Sequence, residues 1–138
     1  MKEGDLERLN LILQKKYSLI REKEERYEDI FLDDAKIILV AYGTMERIAK
    51  GVVNKLRAKG KKIGLLGSIT LWPFPQHILK VITKTRTEKK FLVLEMSYGQ
   101  MVEDVRLVVD GKAKVEFLGR SGGGIPREEE IIKKILAL

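Results

Sequence analysis

The sequence has no cysteine among its 138 residues. That excludes disulfides, thiolate zinc sites, iron–sulfur ligation and a thiol nucleophile within this chain. No apolar run approaches the 18 or so residues of a membrane span. The charged start Met1-Lys2-Glu3-Gly4-Asp5 does not read as a signal peptide, so a cytoplasmic setting is expected. Asn and Gln amount to Asn10, Asn54, Gln14, Gln76 and Gln100 among abundant Lys and Glu, a composition that leans toward a thermophile. The single histidine, His77, has no Cys or clustered partner, and no metal site is expected. Proline and tryptophan are scarce as well, at 3 and 1. Yet two of the prolines flank the only Trp and a Phe in Leu71-Trp72-Pro73-Phe74-Pro75.

What is present in quantity is charge. The chain carries a net +7, and residues 1–34 hold 7 basic and 10 acidic side chains, residues 35–90 hold 13 and 2, and residues 91–138 hold 7 and 8. The excess lies in the middle. Such a patch suits an acidic cofactor, an acidic partner surface or nucleic acid, and equally a set of solvated lysines on surface helices. Nucleic acid is not expected, because no aromatics are interleaved with the basic residues and no recognition motif is present.

A chain of this length is one ordinary domain, able to bury roughly 68% of the surface its unfolded form exposes. From Asp5 to about Glu28, Leu6, Leu9, Leu13, Tyr17, Ile20 and Tyr27 recur at mostly helical steps among charges. Residues 1–34 are expected to form an amphipathic connector helix with no strand, and residues 35–138 the folded domain. There the pattern is strand, turn, helix: Lys36 to Ala41 with Tyr42-Gly43-Thr44 and a helix ending near Gly60; Ile63 to Leu71 with Pro73 to Pro75 and a helix into Lys84; Phe91 to Glu95 with Ser97-Tyr98-Gly99 and a helix closed by Asp110-Gly111; Lys114 to Leu118 with a glycine-rich loop and a helix from Arg127 to about Leu136. Strands without alternation, each followed by a helix, imply a mostly parallel sheet covered on both faces, a three-layer α/β fold. Ligand crevices in such sheets lie at the strand carboxyl ends, where the four turns gather.

Each motif there has an ordinary alternative. Gly119-Arg120-Ser121-Gly122-Gly123-Gly124 precedes a helix and would cradle an anion with Arg120 as counter-charge, but it lacks the spacing of a phosphate loop, and Glu128, Glu129 and Glu130 follow. A flexible turn is the alternative. Glu95 at a strand end suits a general base, and Glu103 with Asp104 a cation, yet carboxylates in such places are usually solvated or salt-bridged. Ser68, Ser97 and Ser121 lack a nucleophile elbow. No catalytic residue is assigned. Trp72 and Phe74, locked between prolines, either plug their own core or dock into a partner.

The order of these motifs resembles a known family. Ala41-Tyr42-Gly43-Thr44 with Arg47-Ile48-Ala49-Lys50, Ile69 to Pro75, Glu95-x-Ser97-x-Gly99-Gln100-Met101-x-x-Asp104-Val105-Arg106 and Gly119-Arg120-x-Gly122-Gly123 are similar to the carboxy-terminal domain of the alpha subunit of 2-oxoacid:ferredoxin oxidoreductases. The resemblance runs from about Asp29 onward. It departs at Ser97, where the family favours Asn, and at Arg127, where it favours Thr.

The resemblance implies a fold like the carboxy-terminal domain of transketolase, with about five strands, one of them antiparallel. It also implies a complex that uses thiamine diphosphate, Mg, iron–sulfur clusters and coenzyme A to oxidise a 2-oxoacid to its acyl-CoA and passes the electrons to ferredoxin. Partners would be a thiamine-diphosphate-binding beta subunit, a gamma subunit and a ferredoxin-like delta subunit. This chain would bind none of the cofactors alone. It would serve assembly, with Trp72, Phe74 and Tyr98 at an interface and Gly43, Thr44, Gly99, Gln100, Arg120, Gly122 and Gly123 lining the crevice. The alternative is a stand-alone module for coenzyme A or a nucleotide.

Overall fold

The structure is a computed structural model that describes residues 4–85 and 88–138. The charged start at residues 1–3 lies outside the described residues. The elements run α1 (Asp5–Lys23), β1 (Tyr27–Ile30), β2 (Ile37–Ala41), α2 (Gly43–Ala58), β3 (Ile63–Ser68), α3 (Gln76–Thr85), β4 (Lys90–Glu95), α4 (Met101–Val109), β5 (Lys114–Gly119) and α5 (Glu128–Leu136). The strands form one sheet in the order β1-β3-β2-β4-β5, with β1 antiparallel to β3 and the other pairs parallel.

Successive strand residues point to opposite faces, and here both faces are apolar because both are covered. Ile38 and Val40 of β2 and Phe91 and Val93 of β4 pack with Leu79 and Ile82 of α3 and Val102, Val105 and Val109 of α4. Leu39, Ala41, Leu92 and Leu94 take the other face, with Met45, Ala49, Val52 and Val53 of α2 and Ile131 and Ile135 of α5. This is the three-layer α/β arrangement that unalternated strands require.

Three expectations are corrected. Residues 1–34 do contain a strand, and α1 stops at Lys23 rather than near Glu28. Tyr27 pairs with Ser68 and Ile30 with Leu65, which supplies the fifth, antiparallel strand. It escaped the sequence pattern because it has only four residues, Tyr-Glu-Asp-Ile, none of them buried, on a sheet edge. The third strand also ends at Ser68, short of Leu71: the Ile69 and Thr70 amides turn away to donate to the Arg26 carbonyl, each at 3.1 Å. Between them Gly64 lets the chain close, since a Cβ there would meet the Phe31 carbonyl oxygen at 2.8 Å and Ala35 Cβ at 2.9 Å. Helix α1 buries none of its residues.

Candidate functional site

The carboxyl ends of the parallel strands open onto residues 42–44, 69–75, 96–100 and 120–126, as the topology demands. A helix starts beside each segment, and a helix start offers unpaired N–H groups and a positive dipole end to any anion nearby. At three of the four starts a carboxylate of the chain takes that place. Glu95 is 0% exposed. It accepts hydrogen bonds from the amides of Gln100 at 3.1 Å, Met101 at 3.1 Å and Val102 at 2.9 Å, and from Ser97 Oγ at 2.9 Å. Glu25, in the link between α1 and β1, receives the amides of Gln76 at 3.0 Å and His77 at 3.3 Å at the start of α3. Glu130 receives the Arg127 amide at 2.7 Å, a bond that leads the causes holding its carboxyl below the usual carboxylate range.

Those bonds decide what the site residues can do. Glu95 is a structural clasp for α4: with four donors on one fully buried carboxylate, it is not arranged as a general base facing a substrate. Arg120, read as a counter-charge for an anion, instead donates to Glu130 at 2.5 Å. Gly122 and Gly123, at φ 70° and 82°, shape a loop whose basic side chain is already engaged. Glu103 is paired with Arg106 at 2.6 Å. Although Asp104 is an exposed residue, partial desolvation pushes its carboxyl above the usual range, and the charge of Glu95 adds to that. No group of three or more His, Asp or Glu placed to hold a metal occurs among the described residues. Of these four helices α2 alone has no side-chain cap bond at its start, where Gly43, at φ 57°, and Thr44 are exposed.

The Trp-Pro-Phe-Pro segment divides between core and surface. Phe74 is 5% exposed and belongs to the apolar cluster of α3 and α4, so this part of the expected interface is a core residue. Trp72, joined to Pro73 by a cis peptide, is 52% exposed. Its ring meets Tyr17 of α1 edge-on, with centroids 5.7 Å apart at 87°, and the Arg21 guanidinium lies 5.9 Å from it. Below the ring is a depression of about 370 Å³ lined by Arg21, Glu25, Leu71, Trp72, Gln76 and Asp104, among others. Tyr98 is 85% exposed, and Ile69, Leu71, Met96 and Ile125 are exposed on the same loops. The edge therefore carries a rim of exposed apolar side chains around four helix starts, three of them internally capped.

The cap by Glu25 and the clasp by Glu95 were not predicted. Glu95 stands five to seven residues before the amides it accepts, a spacing that gives a sequence signal for the clasp. Glu25 lies 51 residues before Gln76 and gives none.

A parallel α/β sheet with one antiparallel edge strand, helices on both faces and an apolar carboxyl rim defines a domain of the transketolase carboxy-terminal kind. The family model "Pyruvate:ferredoxin oxidoreductase core domain II" matches residues 35–131, and the chain belongs to that family. It is 42% identical over 131 residues to the ketoisovalerate oxidoreductase subunit VorB of Methanothermobacter marburgensis, covering 95% of this chain and 36% of that protein. It is 37% identical over 106 residues to the 2-oxoglutarate synthase subunit KorA of the same organism, covering 77% and 28%. This chain thus spans about a third of the length of these relatives.

Among solved structures, the fold matches a 2-oxoglutarate:ferredoxin oxidoreductase from Magnetococcus marinus with a TM-score of 0.77 at 16% identity, over 99% of this chain and 23% of that one. It also matches a split-gene transketolase with a TM-score of 0.63 at 15% identity, over 81% and 40%.

Proposed function

We propose that the chain is the alpha-type core domain of a 2-oxoacid:ferredoxin oxidoreductase and works in its assembly, completing the complex without a full active site of its own. The observation that carries this reading is the apolar rim. Half-exposed Trp72 and nearly bare Tyr98 stand with Ile69 and Leu71 on segments that lead into the helix starts held by Glu95 and Glu25, and Ile125 stands on the segment before the start held by Glu130. Rigid aromatics on a firm base are what a subunit contact needs, because little conformational freedom is lost when they are covered.

The cofactors of such a complex do not fit this chain's residues. Iron–sulfur ligation needs thiolates and the sequence has none. A diphosphate needs an open helix start with free cations beside it, and here three starts are filled, Arg120 is engaged, and the open start of α2 carries Glu46 in its first turn. Thiamine diphosphate, Mg, the clusters and coenzyme A are accordingly assigned to neighbouring subunits or domains: a thiamine-diphosphate-binding beta, a gamma and a ferredoxin-like delta. In this reading α1 is a connector, and the setting is the cytoplasm.

The test is capture. A tagged chain added to lysate of its source is expected to retain a thiamine-diphosphate-binding subunit together with an iron–sulfur subunit, in near-equal amounts. Retaining neither, with coenzyme A raising the melting temperature instead, would replace this reading with that of a ligand-binding module.

A further inference from the structure

The opposite end of the sheet is basic, and the strand register makes it so. Ile37 pairs with Ile63 on one side and with Lys90 on the other, and Lys90 pairs with Lys114. The residues just upstream, Lys62, Lys36 and Lys89, therefore stand level across β3, β2 and β4. Lys36 donates its amide to the Lys62 carbonyl at 2.8 Å, and Lys90 donates its own to the Lys36 carbonyl at 3.0 Å. At the usual strand spacing the row from Lys62 to Lys114 is about 15 Å wide. Lys59 and Lys61, in the turn from α2 into β3, extend it.

Some of these cations are occupied. Lys89 is buried and donates to the Leu32 carbonyl at 2.9 Å, Lys90 donates to the Leu138 carbonyl, and Lys112 and Lys114 pair with Asp110 and Glu116. Lys36, Lys59, Lys61 and Lys62 are exposed and enter no ion pair among the described residues, whereas Lys50 and Lys55 on α2 are both paired. The carboxylates near them are Asp33, Asp34 and Glu88, and Asp34 is already bound to Arg57. A helix carboxyl end favours cations nearby, which accounts for Lys59. It does not account for Lys36 and Lys62, like charges on adjacent strand starts, whose repulsion Asp34, shared between Arg57 and the more distant Lys62, offsets only in part and an acidic surface would offset further.

We infer that this amino edge docks an acidic face of a partner protein. The only exposed aromatic at this end among the described residues, Phe31, has the Arg57 guanidinium 4.8 Å from its ring, so a single half-exposed ring, and no series of aromatics, is offered to stacking bases. Between Lys36 and Lys90 lies a depression of about 490 Å³ with Ile37 and Glu88 in its lining. An apolar floor and a carboxylate among the lysines suit a mixed protein face and oppose a continuous line of phosphates. This surface lies away from the apolar rim, and the inference does not depend on the assembly reading.

The test uses the whole chain and a labelled decaglutamate peptide, followed by anisotropy at about 50 mM salt, where exposed charges are weakly screened. The double reversal Lys36→Glu with Lys62→Glu is expected to weaken binding about tenfold or more. The equal-charge control Lys15→Glu with Lys133→Glu is expected to stay within about threefold of the parent. Lys36→Gln with Lys62→Gln, which introduces no new charge, should fall between them and guards against a reversal that disturbs folding. Equal losses in both reversals would reduce the effect to net charge and overturn the inference. So would a labelled decathymidylate that binds as tightly as the peptide, or a parent chain that binds no peptide.

Discussion

At the carboxyl ends of β2, β3 and β4 the chain enters helices, and β3, β4 and β5 are each reached from a helix at their amino ends, so the two edges of one sheet meet opposite helix poles. The carboxyl edge receives the positive poles and answers with acidic side chains of its own: Glu25, Glu95 and Glu130 bond to helix starts, and Ile69, Leu71, Trp72, Tyr98 and Ile125 stand exposed around them. The amino edge receives the negative poles and answers with lysines, of which Lys36, Lys59, Lys61 and Lys62 are exposed to solvent. The same electrostatic need is met internally at one end and externally at the other. One end is left with aromatic contact area and the other with charge.

The largest effect should come from opening the internally satisfied edge. Glu95→Ala would leave the amides of Gln100, Met101 and Val102 without their acceptor, at a cost of about 3–5 kcal/mol. Chemical denaturation would read that loss directly, and thermal melting would show a fall of roughly 10–15 °C. A loss below about 1 kcal/mol would mean that water replaces the carboxylate and that the clasp is not what holds α4. Glu25→Ala removes the cap on α3 and should cost about 1 kcal/mol, the usual worth of a helix cap. Because Glu25 precedes β1, the variant should also speed amide exchange in residues 24–26, a change that a purely local cap would not produce.

Asp104 gives the smallest effect and sharpens the comparison by its sign. Its carboxyl is held above the ordinary value of 3.8 by partial desolvation and then by Glu95. A group whose folded value is raised costs stability once ionised, so Asp104→Asn should raise the melting temperature at neutral pH by about 1 °C. The gain should vanish as the pH falls below 3.8, where the carboxyl is protonated in both states. Glu116, held low by Lys134 and then Lys114, runs the other way: its contribution is present above the ordinary carboxylate value of 4.5 and is lost as acid protonates it. A melting curve for Asp104→Asn that stays above the parent at every pH would assign the gain to packing instead.

The long parallel strands were legible in the sequence because both of their faces are covered and their apolar runs are unbroken. The short edge strand Tyr27–Ile30 was not, because an uncovered edge puts no apolar demand on Glu28 or Asp29. The gathering of four turns at one edge followed from topology alone. The use of that edge did not, since Phe74 and Trp72 sit two residues apart with the same chemistry, and only the packing of α3 and α4 sends one into the core and leaves the other outside. Glu95 shows the same limit. Its position at a strand end was evident, but its role depends on amides contributed by the turn that follows.

The central claim is that the carboxyl rim is a contact surface, and equilibrium binding to the captured thiamine-diphosphate-binding subunit tests it most directly. The double variant Trp72→Ala with Tyr98→Ala should weaken association about a hundredfold while melting within roughly 5 °C of the parent, since both rings are largely exposed. Unchanged affinity in a folded double variant would contradict the claim and place the contact elsewhere on the molecule.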